Sequence, residues 1–222
     1  MSARIVVINP NCTAAVTEAI DAALRPWRMA GGPAIECITL AEGPPGIETQ
    51  AHVEQVVLPI CRLVRAREDA AAFVIACFSD PGLHAAREAT RMPVFGIAES
   101  GLLTALTLGE RFGIIAILKT SLPRHLRYVR QLGLASRFAG EVPLGLGVVE
   151  LADEAATMER MVEAGARLKD DHGADVLVLG CAGMTQYRRT LADALGVAVV
   201  DPTQAAVTLA IGAVRQAHEG EG

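Results

Sequence analysis

The sequence predicts an α/β protein built on doubly wound parallel sheets, and two observations carry this prediction. Short apolar runs, the first of them at residues 4–8, alternate with stretches that carry apolar residues at helical spacing. In addition, a strand, a cysteine, a helix, a second strand and an acidic residue occur in this order twice, around Cys77 and around Cys181. Strands that alternate with helices pair in parallel through right-handed crossovers, which places helices on both faces of each sheet.

The first half of the chain shows this alternation clearly. β-branched runs that end at Asn, Pro or Gly are typical of strands buried on both faces. The predicted elements are a strand at 4–8, a helix at 14–24 with Thr13 as its N-cap, a strand at 35–40, a loop at 43–46, a helix at 52–67, a strand at 73–76, a helix at 83–90 and a strand at 94–98 that closes at Glu99 and Ser100.

The pattern restarts in the second half. The predicted elements are a helix at 102–108, a strand at 112–118, a basic helix at 123–132, a weaker strand at 147–151, an amphipathic helix at 154–171, a strand ending at Cys181, a helix at 187–195, a strand at 197–200 and a final helix at 204–217. We expect an N-terminal half at 1–98, a second half at 99–206, and a C-terminal helix, 207–222, that packs back on the first half.

Composition and charge exclude several classes of protein. The chain of 222 residues is 51% hydrophobic, 20% charged and 4% aromatic, which is typical of a folded α/β protein with an aliphatic core. The net charge is −5 and the basic residues are scattered, so we expect no nucleic-acid partner. Because no apolar run approaches the ~20 residues of a membrane span, and the run at 5–8 is too short for a signal peptide, we expect a cytoplasmic protein without a membrane partner.

The cysteines are expected to be free thiols. The chain has five of them without clustered spacing, which argues against a disulfide framework. It contains no Cys-x-x-Cys, no His-x-x-x-His and no Gly-x-Gly-x-x-Gly after a strand, so the sequence does not support a zinc or dinucleotide site.

Cys77 and Cys181 are the candidate catalytic residues. In doubly wound sheets ligands bind beyond the carboxyl ends of the strands, where both cysteines fall. Each precedes a helical pattern, and a helix N-terminus lowers the pKa of a thiol. Two thiols on opposite faces of a planar carbanion could each add or remove one proton, which is the geometry of a cofactor-free racemase.

Proton removal beside a carbonyl also needs donors at the developing enolate oxygen. The candidate donors and substrate-binding residues are Asn9, Phe78, Ser79, Thr120, Ala182 and Gly183. Glu99 and Asp201 either orient the cysteines or the substrate, or cap the helices that follow them. Asp80 is interpreted as an N-cap of the helix near Leu83, and His84 and His125 as exposed positions, because neither histidine has a counterpart in the other half.

Four segments together resemble the hydantoin racemase family of the aspartate/glutamate racemase superfamily. The resemblance covers residues 5 to about 210, and the segments are Ile8-Asn9-Pro10-Asn11, Ala76-Cys77-Phe78-Ser79-Asp80-Pro81-Gly82-Leu83, Leu179-Gly180-Cys181-Ala182-Gly183-Met184 and Asp201-Pro202. It implies two pseudo-symmetric α/β domains with the active site between them, no pyridoxal phosphate or other cofactor, no metal, and two-base proton transfer by the two cysteines. The implied substrate is a cyclic ureide, either a 5-substituted hydantoin or allantoin.

Other readings remain open. Within the superfamily, the chain could be an amino-acid racemase, an isomerase or a decarboxylase. The pairs Phe78-Ser79 and Ala182-Gly183 disfavour an amino-acid substrate, and the presence of both cysteines disfavours the decarboxylase. At the stretch 116–121, family members often carry hydroxyl residues and an arginine, whereas this chain reads Ala-Ile-Leu-Lys-Thr-Ser. This different set of polar residues would change which ring substituent is accepted. Outside enzymes, the fold would suit a ligand-sensing module. As a base rate for such proteins we expect a homo-oligomer.

Overall fold

The structure is a computed structural model that describes residues 3–218. Its first half contains β1 Arg4–Asn9, α1 Ala14–Ala23, β2 Ala34–Thr39, α2 Gln50–Gln55, α3 Val57–Ala66, β3 Ala72–Ile75, α4 Leu83–Ala89, β4 Val94–Gly96 and α5 Ile97–Ala105. The second half contains β5 Phe112–Ala116, α6 Leu122–Gln131, β6 Phe138–Pro143, α7 Glu154–Asp170, β7 Val176–Leu179, α8 Arg188–Leu195, β8 Ala198–Val200 and α9 Pro202–His218. Residues 1–2 and 219–222, which include the end of the predicted C-terminal helix, lie outside the described residues.

Two parallel four-stranded sheets confirm the predicted fold class. Their strand orders are β2-β1-β3-β4 and β6-β5-β7-β8, so the second sheet repeats the topology of the first. In each sheet the chain moves to one side of the first strand and then returns to its other side. A crevice therefore opens beyond the carboxyl ends of β1 and β3, and another beyond those of β5 and β7.

Three predicted elements need correction. The single helix predicted at 52–67 is two helices, α2 and α3, because Pro59 has no N–H to bond to the carbonyl of Gln55. The strand predicted at 94–98 ends at Gly96, and residues 97 and 98 begin α5. The prediction of a strand at 147–151 is wrong, since residues 149–152 form a 3-10 turn. The strand at the edge of the second sheet is β6, which lies earlier in the chain. Only Val142 of β6 is buried, so this edge strand has no apolar run to reveal it.

Helices α5 and α9 pack side by side between the sheets. Ile211 on α9 is buried with Val74 of the first sheet, whereas Leu102 on α5 is buried with Val178 of the second. A Cβ on Gly101 would lie 2.7 Å from the side chain of Pro202, so the close approach of the two helices depends on this glycine. The boundary of the two halves at 98/99 stays a prediction.

Within residues 3–218, no helix combines the length and the apolar character needed to cross a bilayer.

Candidate active site

The two cysteines occupy equivalent places and line one pocket. Cys77 lies two residues beyond β3, and Cys181 lies two residues beyond β7, the corresponding strand of the second sheet. Walls from both halves enclose the pocket, including Ile47 from the first half and Val148 from the second. The void between them measures ≈ 30 Å³.

The thiol of Cys77 is held in its neutral form. Burial raises its pKa to about 12, although a hydrogen bond from the backbone N–H of Ser79 and the charge of Arg124 act in the opposite direction. Cys77 is only partly exposed, and it lines the pocket.

Cys181 has a similar pKa but a different charge environment. Burial, and to a smaller extent the charges of Glu48 and Asp201, raise its pKa to about 11. The backbone N–H of Gly183 donates to Sγ at 3.4 Å, which partly stabilises a thiolate. The nearby N–H groups lower the pKa of both cysteines, as expected, but the loss of water raises it by more, so neither thiol is ionised at neutral pH.

Asp80 organises the segment that follows Cys77. Its backbone adopts the left-handed conformation with φ of 42°, and its carboxylate accepts hydrogen bonds from the N–H groups of Ala98 at 2.9 Å and Glu99 at 2.8 Å and from the hydroxyl of Tyr128 at 3.0 Å. The predicted capping role is thus corrected: the side chain caps α5, not α4. Burial raises the pKa of Asp80 to about 7 despite these donors.

Asn9 does not line the pocket, which corrects its predicted role as a substrate contact. It is buried, and its amide nitrogen donates to Asn11 Oδ1 and to Thr17 Oγ1, both at 3.0 Å. These bonds fix the turn after β1. Its neighbour Asn11 lines the pocket instead.

Two other predicted residues lie away from the pocket. Thr120 is exposed in a 3-10 turn, while the adjacent Ser121 is buried and lines the pocket. Glu99 lies in the first turn of α5 and pairs with Arg87 at 2.5 Å, so it does not orient either cysteine.

The remaining predicted residues lie at or next to the site. Phe78, Ser79 and Ala182 line the pocket. Gly183 lies next to the pocket, because its backbone N–H donates to Sγ of Cys181. Asp201 is buried, accepts from the N–H of Gln204 at 2.7 Å, and therefore caps α9. Burial raises the pKa of Asp201 above its ordinary value.

Helix α6 contributes polar wall residues that the sequence interpretation missed. Arg124 lines the pocket, and its Nε donates to Ser79 Oγ at 2.9 Å. His125, predicted to be exposed, is buried in the wall, where Nδ1 lies 2.5 Å from Oε1 of Glu141. The one signal in the sequence was the basic character of this helix.

Across the described part of the chain, no group of three or more His, Cys, Asp or Glu side chains is arranged to hold a metal ion.

Comparison with known proteins identifies the family. The family model of Asp/Glu/hydantoin racemases matches residues 5–210. A hydantoin racemase of Paenarthrobacter aurescens is 38% identical over 213 residues, which cover 93% of this chain and 89% of that protein.

Solved structures of racemases resemble this chain as well. An allantoin racemase from Klebsiella pneumoniae superposes with a TM-score of 0.92 at 34% identity, covering 97% of this chain and 89% of that one. A glutamate racemase from Francisella tularensis shares the fold, with a TM-score of 0.73 at 17% identity over 98% of this chain and 82% of that one. The chain therefore belongs to the Asp/Glu/hydantoin racemase family and is a racemase, a class of isomerase.

Proposed function

We propose that the protein racemises a 5-substituted hydantoin or allantoin without a cofactor, by proton transfer between Cys77, Cys181 and the ring stereocentre. The observation that carries this proposal is that both thiols line one pocket from equivalent positions in the two halves. The hydantoin and allantoin racemases that this chain resembles over most of its length support a cyclic ureide as the substrate.

The reaction needs one thiolate and one thiol on opposite faces of the ring. The thiolate takes the proton from the stereocentre, and the electron pair of that C–H bond moves into the adjacent carbonyl as an enolate. The second thiol then gives its proton to the opposite face of the same carbon and becomes the thiolate. The opposite enantiomer reacts with the two roles exchanged.

Formation of the first thiolate is costly because burial raises the pKa of both cysteines. Each turnover, however, leaves one thiolate and one thiol, so the number of protons in the site does not change. The cost of ionisation therefore applies once rather than at every turnover.

Ser79 is well placed to stabilise the enolate. Because its Oγ accepts a hydrogen bond from Arg124, its own O–H is free to donate to an oxygen in the pocket. Donors that are held in position before the reaction stabilise developing charge without reorganisation. We assign the same role to the backbone N–H groups of Phe78 and Ala182, two residues that line the pocket.

A substrate must open the pocket before it can bind. A void of ≈ 30 Å³ holds about two water molecules, which is less space than a five-membered ring with two carbonyl oxygens occupies. Ile47 and Val148 come from different halves of the chain and both line the void. We infer that separation of these two segments admits the ring.

The test is racemisation of one pure enantiomer of 5-isobutylhydantoin, and separately of allantoin, in deuterated water. Optical rotation and deuterium at the stereocentre are followed together, with the spontaneous rate subtracted. The variants are Cys77→Ala and Cys181→Ala, and Cys12→Ala is the control because Cys12 is exposed and lies outside the pocket.

Each pocket variant should racemise at least ~100-fold more slowly, the contribution expected of a positioned acid or base, while Cys12→Ala stays active. Racemisation that survives either pocket substitution would refute the two-cysteine mechanism. If wild type racemises neither ring but racemises an amino acid, the proposed substrate class is wrong.

A further inference from the structure

A second cleft adjoins the pocket on the side of α6. It measures ≈ 150 Å³ and shares Phe78, Ser79, Arg124 and His125 with the pocket. Its remaining walls are formed by Gln50, Val53, Arg127, Tyr128 and Gln131. A substituent on a ring held between the cysteines would reach the cleft only by passing these four shared residues.

Two guanidinium groups give this cleft an excess of positive charge. Arg124 and Arg127 lie three residues apart on α6 and both line the cleft. Neither forms an ion pair with an acidic residue among residues 3–218. The bonds that hold them are to neutral oxygens, from Arg124 Nε to Ser79 Oγ at 2.9 Å and from Arg127 Nη2 to Gln50 Oε1 at 3.0 Å.

The nearby acidic residues are already engaged. The Glu141 carboxylate bonds to His125 Nδ1, and Glu54 accepts a hydrogen bond from Gln50 Nε2 at 2.7 Å. Each guanidinium carries five N–H donors, so most donors of Arg124 and Arg127 stay available to a ligand. The charge of Arg127 also acts unfavourably on that of Arg124, and an anion between them would relieve this repulsion.

We propose that this cleft binds a carboxylate carried on the ring substituent, so that the preferred substrate is a hydantoin with a carboxyalkyl group at position 5. This inference rests on the proposed function. A carboxylate accepts paired hydrogen bonds from guanidinium groups, which gives it an advantage that an apolar substituent or a neutral amide of the same shape lacks.

The test compares 5-(2-carboxyethyl)hydantoin with 5-(2-carbamoylethyl)hydantoin, which differ in charge but hardly in shape. For wild type, kcat/KM should favour the carboxylate by about tenfold, the ratio expected when one charge-assisted hydrogen bond is gained. Arg127→Gln should remove most of this preference, mainly through KM. Arg127→Lys should retain part of it, because the charge remains but the paired geometry does not.

Arg130→Gln is the matched control. Arg130 is exposed on the same helix and lines neither cavity, and its substitution removes the same charge. If Arg130→Gln lowered the preference as much as Arg127→Gln, long-range attraction rather than a binding site would explain it, and the subsite would be refuted.

Failure of this inference is distinguishable from failure of the proposed function. Equal rates with the carboxylate and the carboxamide would overturn the anion subsite but leave the proposed racemase activity standing. A preference for allantoin, whose ureido group is neutral, would have the same consequence. If wild type racemised none of these rings, the proposed function itself would be refuted.

Discussion

Nδ1 of His125 lies 2.5 Å from Oε1 of Glu141, and the two side chains are only 5% and 4% exposed. The imidazole also packs edge-on against Phe78, with ring centroids 5.2 Å apart. Since Phe78 follows Cys77 directly, the pair fixes one wall of the pocket.

Breaking this pair should destabilise the protein. Either His125→Leu or Glu141→Leu leaves a buried polar partner unsatisfied, at a cost of about 3 kcal/mol in the free energy of unfolding. The double variant should lose less than the sum of the two, because no unpaired group remains. Urea denaturation of the four proteins measures the coupling, and strict additivity would show that the pair contributes nothing as a unit.

The thiols should react as groups with a raised pKa. Below the pKa the thiolate fraction grows tenfold per pH unit, and the pKa values are about 12 for Cys77 and about 11 for Cys181. Alkylation of both by iodoacetamide should therefore be slow at pH 7 and rise with a slope near one up to pH 10. A rate that levels off between about pH 9 and pH 10, as that of a thiol with an ordinary pKa near 8.5 does, would contradict the neutral dithiol state.

Arg124 should act on the two cysteines unequally. Its charge lowers the pKa of Cys77, which burial raises, whereas Cys181 faces the negative charges of Glu48 and Asp201. In Arg124→Gln the pKa of Cys77 should rise further, so its alkylation should slow by up to about tenfold, the factor for one pKa unit. Peptide mass spectrometry after brief alkylation gives the two rates separately. An equal decrease at both cysteines would indicate a change in pocket access instead.

The sequence predicted those parts of the site that depend on local pattern. An apolar run locates the end of a strand, so the positions of Cys77 and Cys181 beyond β3 and β7 followed from the residues themselves. The same strand order in both halves then gives the two cysteines equivalent places, and both line one pocket.

Side-chain direction could not be predicted in the same way. Within one 3-10 turn Thr120 is exposed and Ser121 is buried, and no sequence pattern separates two adjacent hydroxyl residues. His125 and Glu141 lie on α6 and β6, so their pairing depends on how a helix packs against a strand that the sequence did not reveal. The sequence predicts a capping role for Asp80, but the helix that it caps begins 17 residues later in the chain, at Ile97.

A hydrogen bond between the halves should hold the pocket closed. Glu48 Oε1 accepts from the N–H of Val148 at 3.0 Å, and this bond joins the segments of Ile47 and Val148, which both line the void. Glu48→Ala removes the bond, so the open state should become about fivefold more populated, the effect of one hydrogen bond of about 1 kcal/mol. The alkylation rate of Cys77 should increase by the same factor.

Glu48→Gln separates this effect from that of charge. Its side-chain oxygen can still accept the bond from Val148, but the negative charge that raises the pKa of Cys181 is gone. The Gln variant should therefore speed alkylation of Cys181 and leave Cys77 unchanged, whereas the Ala variant should speed both. If Cys77 reacted at one rate in wild type and in both variants, the bond between Glu48 and Val148 would not limit access, and the ring would have to enter past another part of the wall.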